Sequence, residues 1–340
     1  MISFRNDYSE GAHPVIFDAL SRTNLDSTVG YGRDACCERA AQKLKSVFAC
    51  PEADVHFLTG GTIANLCVIT AALRPWEAAI AADTAHICVH ETGSIEAAGH
   101  KICSVPTSDG KLTAELVRQV VMAHRVGDEE HMVMPRLVYV SDATELGTLY
   151  TRQELLSLHT VCRELGLYLY LDGARMAAAL VAEDNDLRPE DFAQLCDCFY
   201  VGGTKDGLLF GEAVVIVNDE LKPHFRNLMK QRGAILAKGR LLGVQFDAFF
   251  TDGLWLKMAE HAVSCAQRIA SAMRRKGYAF YVESTTNQLF PILSSDRYAA
   301  LSRDFDFELT AKLDEQHSAV RFVTSWATEE ASVQALIDAL

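Results

Sequence analysis

Apolar and polar positions along this chain alternate between two rhythms. Short runs that are apolar on both faces, DVHFL (54–58), AAIAA (78–82), KICSVP (101–106), RLVYVS (136–141) and LYLYLD (167–172), are each followed by a longer stretch of helical character. Those stretches are TIANLCVITAAL (62–73), ICVHETGSIEAAG (87–99), TAELVRQVVMAHR (113–125), RQELLSLHTVCREL (152–165) and GARMAAALVA (173–182). Strands apolar on both faces belong in a parallel sheet with helices on either side, so the pattern predicts an α/β fold with a mostly parallel sheet sandwiched by helices. From about Asn218 the rhythm changes. A long helical segment, LWLKMAEHAVSCAQRIASAMRRKG (254–277), precedes two shorter apolar runs, LFPIL (289–293) and VRFVTSW (320–326), and a last helix near 328–339. The expected division is a large domain over 1–217 with an N-terminal arm, its extension through helices to about 250 left open, and a small C-terminal α+β domain within 218–340.

Composition narrows the function. The chain has 340 residues, 49% hydrophobic and 23% charged, long enough for one large domain and a smaller one. Its net charge of −13 excludes a general polyanion binder, so no nucleic-acid partner is expected. The opening MISFRNDYSEGAHP has no basic and then apolar signal region, and no run of about eighteen apolar residues occurs, so neither export nor a membrane is expected and the setting reads as cytosolic. Ten cysteines, several in apolar segments, read as reduced core residues. Neither Cys36-Cys37 nor the Cys196/Cys198 pair has zinc-site spacing, so no metal is expected.

In an open parallel sheet, ligands bind outside the carboxyl ends of the strands. Gly60-Gly61-Thr62 follows a strand and opens a helix, which makes a phosphate cradle in form, although a plain turn would read the same way. Asp172 ends LYLYLD, where a carboxylate caps a helix or pairs with a cation. In DCFYVGGTKDGLLFGEA, Lys205 lies between two apolar runs, and an enclosed amine whose pKa is lowered is a nucleophile toward carbonyls. It follows Asp172 by 33 residues, about one strand–helix unit, so both can project into one crevice. An anion site, a partner for a pyridine nitrogen and a Schiff-base amine are what pyridoxal phosphate requires. His86 and His90 are four residues apart with Glu91 beside the second, which is not the metalloprotease arrangement. A flat ring over the cofactor and hydrogen-bonded structure are both open to them. Arg175 and Arg321 suit a carboxylate or a structural ion pair.

The motifs YGRDACCERAAQKL, GGTIANL, DTAHICVHETGSIEAAGHK, TELGTLYT, LYLDGAR and GGTKDGLLFGEAVV occur in order, and the likeness runs from about Asn6 to Arg321. Together they resemble the threonine aldolase family, fold-type-I pyridoxal phosphate lyases grouped with the β-eliminating lyases. The resemblance implies an aldehyde-lyase (EC 4.1.2.-) that cleaves L-threonine or L-allo-threonine, with other β-hydroxy amino acids, to glycine and an aldehyde. It implies that Lys205 forms the Schiff base, Asp172 holds the pyridine nitrogen, Gly60, Gly61 and Thr62 bind phosphate, and His86 stacks on the ring. Arg175 and Arg321 would hold the substrate carboxylate with help from Asn6. Tyr31 and Lys238 would reach the phosphate, in part from a neighbouring subunit of a homodimer or homotetramer with shared active sites. The alternative is another fold-type-I β-eliminating amino-acid lyase; a cofactor-free Schiff-base aldolase or a non-enzymatic binding protein would leave the cradle and the enclosed lysine unexplained. This chain departs from the family at Ser141-Asp142-Ala143-Thr144, where many members carry Glu-Asn-Thr-His. With that histidine missing, His90 or a bound water is expected nearest the β-hydroxyl, with Glu91 as the remaining candidate.

Overall fold

A computed structural model describes residues 1–127 and 129–340. Its strands are β1 (Ile2–Ser3), β2 (Asp54–Leu58), β3 (Glu77–Ala82), β4 (Lys101–Val105), β5 (Met134–Ser141), β6 (Tyr168–Gly173), β7 (Cys198–Gly202), β8 (Glu212–Ile216), β9 (Phe280–Val282), β10 (Gln288–Ser294), β11 (Phe305–Asp306), β12 (Glu308–Lys312) and β13 (His317–Val323). Seven of them form one sheet in the order β2-β8-β7-β6-β5-β3-β4. Only β8 runs against the rest. Alternate residues of each strand feed two cores. Ile80, Val138, Val140, Leu169, Leu171 and Phe199 enter one, while Ala79, Ala81, Leu137, Tyr139, Tyr170 and Tyr200 enter the other. Both faces are therefore covered, as the uninterrupted apolar runs predict.

The C-terminal part holds a four-stranded antiparallel sheet, β12-β13-β10-β9, against the helix Leu254–Arg275. That helix buries Ala266, Ile269, Ala270 and Met273 against Leu289, Leu293, Val320 and Phe322. The N-terminus lies here too. Residues Ile2–Ser3 pair with Phe305–Asp306, and the fully buried Phe4 joins this smaller core. The arm thus packs first on the C-terminal layer, because Phe4 finds apolar surface there, and only then returns toward the larger sheet, where the His13 amide donates to the Gly207 carbonyl. A second difference concerns 87–99. Its helical pattern is split into two short helices, His86–Val89 and Ser94–Ala97, because Thr92 and Gly93 take positive φ (53° and 68°) between them. No helix among the described residues is long and apolar enough to cross a membrane.

Candidate active site

The carboxyl ends of β5, β6 and β7 lie side by side, with Ser141 beside Asp172 and Asp172 beside Tyr200. With the turn after β2, the short helix at His86 and the loop after β7, they surround a cavity of about 210 Å³. Gly60, Gly61, Thr62, His86, Asp172, Arg175 and Lys205 all line it. The helix Gly61–Ala72 begins at this cavity, so its first amides have no partner within the helix and are free for an anion.

Lys205 is aimed by the turn before it. The strand Cys198–Gly202 is buried throughout, and at its end the Gly203 amide and Thr204 hydroxyl donate to Glu212 at 3.1 and 2.8 Å. A Cβ on Gly203 would stand 2.4 Å from Leu208 Cδ1 and 2.8 Å from the Gly211 carbonyl, so this turn closes only around glycine. Lys205 Nζ makes no hydrogen bond to protein among the described residues and opens onto the cavity. Burial holds its ammonium below the ordinary value and Arg175 adds to this, against the opposing pull of Asp7, Asp172 and Glu212. The result is an amine that loses its proton more readily than a surface lysine.

Asp172 is held by three donors. The Ala174 amide meets Oδ1 at 3.0 Å, while the Tyr139 hydroxyl and Asn65 Nδ2 meet Oδ2. Burial, followed by the charge of Asp172, pushes the Tyr139 phenol well above its ordinary value, so Tyr139 is the donor of this pair. Asn65 also donates to Glu91 Oε1 at 2.7 Å, and that oxygen faces His86 Nδ1 at 2.8 Å. A carboxylate at Nδ1 draws the ring proton to that nitrogen and fixes the ring's orientation. One buried chain of hydrogen bonds therefore joins His86, Glu91, Asn65, Asp172 and Tyr139. Glu91 Oε2 accepts from the Ser94 hydroxyl at 2.8 Å, which anchors the carboxylate whose Oε1 faces His86.

Arg175 lies at the cavity's edge with a buried partner. Its Nε and Nη2 reach Asp7 Oδ2 and Oδ1 at 2.7 and 3.0 Å, and Asn287 holds Asp7 at 2.9 Å. Arg321 pairs with Glu308, and burial followed by Arg175 lowers its pKa, so the two guanidiniums act on one another. Arg175 lines the cavity and Arg321 does not, and each guanidinium already has a carboxylate partner.

Some expected residues lie elsewhere. Asn6 is turned to its own chain, accepting from the Tyr8 amide and Ser9 hydroxyl at 3.0 and 2.9 Å, and Asp7 is the arm residue at Arg175. His90 caps its helix in an exposed position, its ring 5.5 Å from that of His86. Tyr31 borders a different cavity of about 150 Å³, and Lys238 lies exposed beside Gly239 of that cavity's wall. Sequence reasoning missed Asp7, Asn65, Tyr139, Glu145 and Glu212. Asn65 carried a signal, being a polar residue in a helix otherwise apolar at its buried positions. Asp7 carried none, since NDYSE reads as solvated surface.

The β-eliminating lyase family model matches residues 4–304. A low specificity L-threonine aldolase of Pseudomonas sp. (strain NCIMB 10558) is 30% identical over 336 residues, 98% of this chain and 95% of that relative. A solved threonine aldolase of Leishmania major superposes with a TM-score of 0.97 at 46% identity, covering 99% of this chain and 98% of that one. An aspartate aminotransferase of Thermus thermophilus shares the fold alone, with a TM-score of 0.74 at 13% identity over 100% of this chain and 90% of that one.

Proposed function

The chain belongs to the β-eliminating lyase family, and from that premise we propose that it is a pyridoxal-phosphate-dependent aldehyde-lyase cleaving L-threonine and L-allo-threonine to glycine and acetaldehyde. Other β-hydroxy amino acids fit the same chemistry. The observation that carries this reading is the meeting of Lys205 and Asp172 at adjoining strand ends, in one cavity with a helix start. The donor set fits the cofactor: free amides at Gly61 and Thr62 for the phosphate, Asp172 for the ring nitrogen, His86 for the ring face and the Lys205 amine for the aldehyde carbon. When bound, the cofactor supplies an electron sink at the substrate's Cα.

The residues of this chain do the rest. Asp172, fixed by Tyr139, Asn65 and the Ala174 amide, keeps a negative charge where a ring N–H needs one. Arg175 and Arg321 take the substrate carboxylate and so decide which bond at Cα stands across the ring, which selects Cα–Cβ cleavage. Glu91 keeps the His86 ring from turning away. The β-hydroxyl proton must pass to a base within about 3 Å, directly or through one water. The sequence points to His90 or a bound water, and His90 is not among the residues that line the cavity.

A cytosolic setting is supported by ten unpaired thiols. A homodimer or homotetramer, with Tyr31 and Lys238 completing a neighbour's phosphate site, is supported by exposed apolar residues beside them, Leu25 at 95% and Val29 at 66%. The deciding experiment is the visible spectrum of the purified protein before and after L-threonine, with glycine and acetaldehyde assayed. The expected result is a coloured protein whose absorption changes as both products form. A colourless protein would remove the cofactor, and release of ammonia and a keto acid in place of acetaldehyde would make it an eliminating lyase instead.

A further inference from the structure

Three carboxylates line the catalytic cavity, Asp172, Glu212 and Glu145. Both oxygens of Asp172 are engaged, by Ala174, Tyr139 and Asn65, and both of Glu212, by Thr204 and Gly203. Glu145 differs. Its Oε1 accepts from the His86 amide and the Ser141 hydroxyl, each at 2.9 Å, while Oε2 accepts from no other residue among those described. Of three nearby carboxylates outside the lining, Glu91 is spent on Asn65, His86 and Ser94, and Asp7 on Arg175 and Asn287, while Asp206 has a partnerless Oδ2 but does not line the cavity. The cavity therefore offers one carboxylate oxygen with accepting capacity to spare, held at the start of the helix that carries the His86 ring.

We propose that Glu145 is the catalytic base that takes the proton of the substrate's β-hydroxyl, an assignment that rests on the aldolase reading above. Oε2 receives the hydroxyl proton, and the O–H electron pair becomes the second bond of the aldehyde carbonyl. The Cα–Cβ bond breaks with its pair left at Cα. Cα then gains a proton to give glycine, which balances the one Glu145 has taken. Asp172 and Glu145 divide the work by their surroundings, as paired carboxylates do when their environments differ. Asp172, with three donors, serves a cation; Glu145, with an oxygen free, exchanges a proton.

The electrostatics around Glu145 suit the task. Burial raises its carboxyl above the ordinary value and the Asp172 carboxylate adds to this, while its own amide, the Ser141 hydroxyl and the His86 amide oppose. Tyr139 and Tyr150 face it from the sheet and the following segment, Cys88 from the His86 helix, and Arg175 from the loop after β6. A carboxyl whose proton affinity lies closer to neutrality is a better base for a hydroxyl than an exposed one, and kcat/KM should lose activity as pH falls through its pKa.

The test uses holoenzyme of Glu145→Gln and His90→Phe with three readouts. These are cleavage of both threonine diastereomers, exchange of the glycine Cα proton in D2O followed by NMR, and cofactor absorption with the apoprotein's affinity for added pyridoxal phosphate. Exchange at glycine involves no β-hydroxyl, so it separates a base from a structural residue. Glu145→Gln should lose at least about 100-fold in cleavage of both diastereomers. Its glycine exchange should stay within about threefold of wild type, with cofactor affinity unchanged. Cleavage within about tenfold of wild type would overturn the assignment. So would a parallel fall in cleavage and exchange, or a cleavage-specific loss found in His90→Phe and not in Glu145→Gln. Wild-type protein that yields no acetaldehyde would overturn the aldolase reading itself, a result distinct from any of these.

Discussion

Lys205 is made reactive by where its backbone turns rather than by any partner it touches. A lysine between two apolar runs was legible in the sequence because an ammonium there has no cheap alternative to a function. Lys205→Ala should abolish turnover and the cofactor's protonated absorption. Borohydride-reducible cofactor found on another lysine of that variant would refute the assignment. Asp172→Asn should keep the fold and some cofactor while lowering kcat by about 10³-fold, since a neutral amide cannot hold a ring N–H in its charged form. A near-normal kcat in loaded protein would remove the carboxylate from the chemistry. Asp142 shows the opposite case, a buried carboxyl outside the cavity. Its Oδ1 accepts from the Tyr150 amide at 3.2 Å and its Oδ2 has no partner. Burial raises it from 3.8 to about 7. The folded state then keeps a proton that the unfolded chain releases near 3.8, so stability falls as pH rises from about 4 to about 7 and is level above. Asp142→Asn should remove that slope, and its advantage in urea unfolding of the apoprotein should grow across this window to a few kcal/mol. An advantage that stays constant from pH 4 to pH 8 would show that Asp142 does not titrate there.

Among the elements, the turn from β2 into the helix Gly61–Ala72 has little room at its second glycine. Its form could be read from GGTIANL, because glycines before a helical pattern mark a strand-to-helix turn. What presses on it could not. A Cβ on Gly61 would stand 3.0 Å from the Tyr200 hydroxyl, contributed by a strand far along the chain. Gly61→Ala should weaken cofactor binding about tenfold, and adding Tyr200→Phe should restore part of the loss through a coupling of about 1 kcal/mol. Additive losses measured by titrating apoprotein with pyridoxal phosphate would show that the hydroxyl is not what the methyl meets. The stretch 87–99 teaches the reverse lesson. Its residues suit a helix, yet Thr92 at positive φ, followed by Gly93, divides it and turns Glu91 inward to His86. A non-glycine residue in that region is strained locally and is kept by its surroundings, which periodicity does not register.

At the scale of the whole molecule, the second copy proposed above would dock on the exposed segment around Leu25, Val29 and Tyr31. Leu25→Glu with Val29→Glu should shift the protein toward monomer in light scattering and lower its cofactor retention; an unchanged mass with full retention would place the interface elsewhere. The alternation of apolar runs determined a mostly parallel sheet, its two helical coverings and a smaller α+β part after Asn218, because burial on both faces of a strand leaves a mark in every residue of that strand. The count of seven strands and the antiparallel pairing of the smaller sheet came from the structure. The strand-end positions of Asp172 and Lys205 followed from the same local information. Tertiary structure alone decided the pairing of polar groups: Asp7 with Arg175 and Asn287, Asn65 with Glu91 and Asp172, and a free oxygen on Glu145. A buried polar group must find a partner, but which partner depends on distances in space between residues far apart in the chain, and no periodicity encodes those distances.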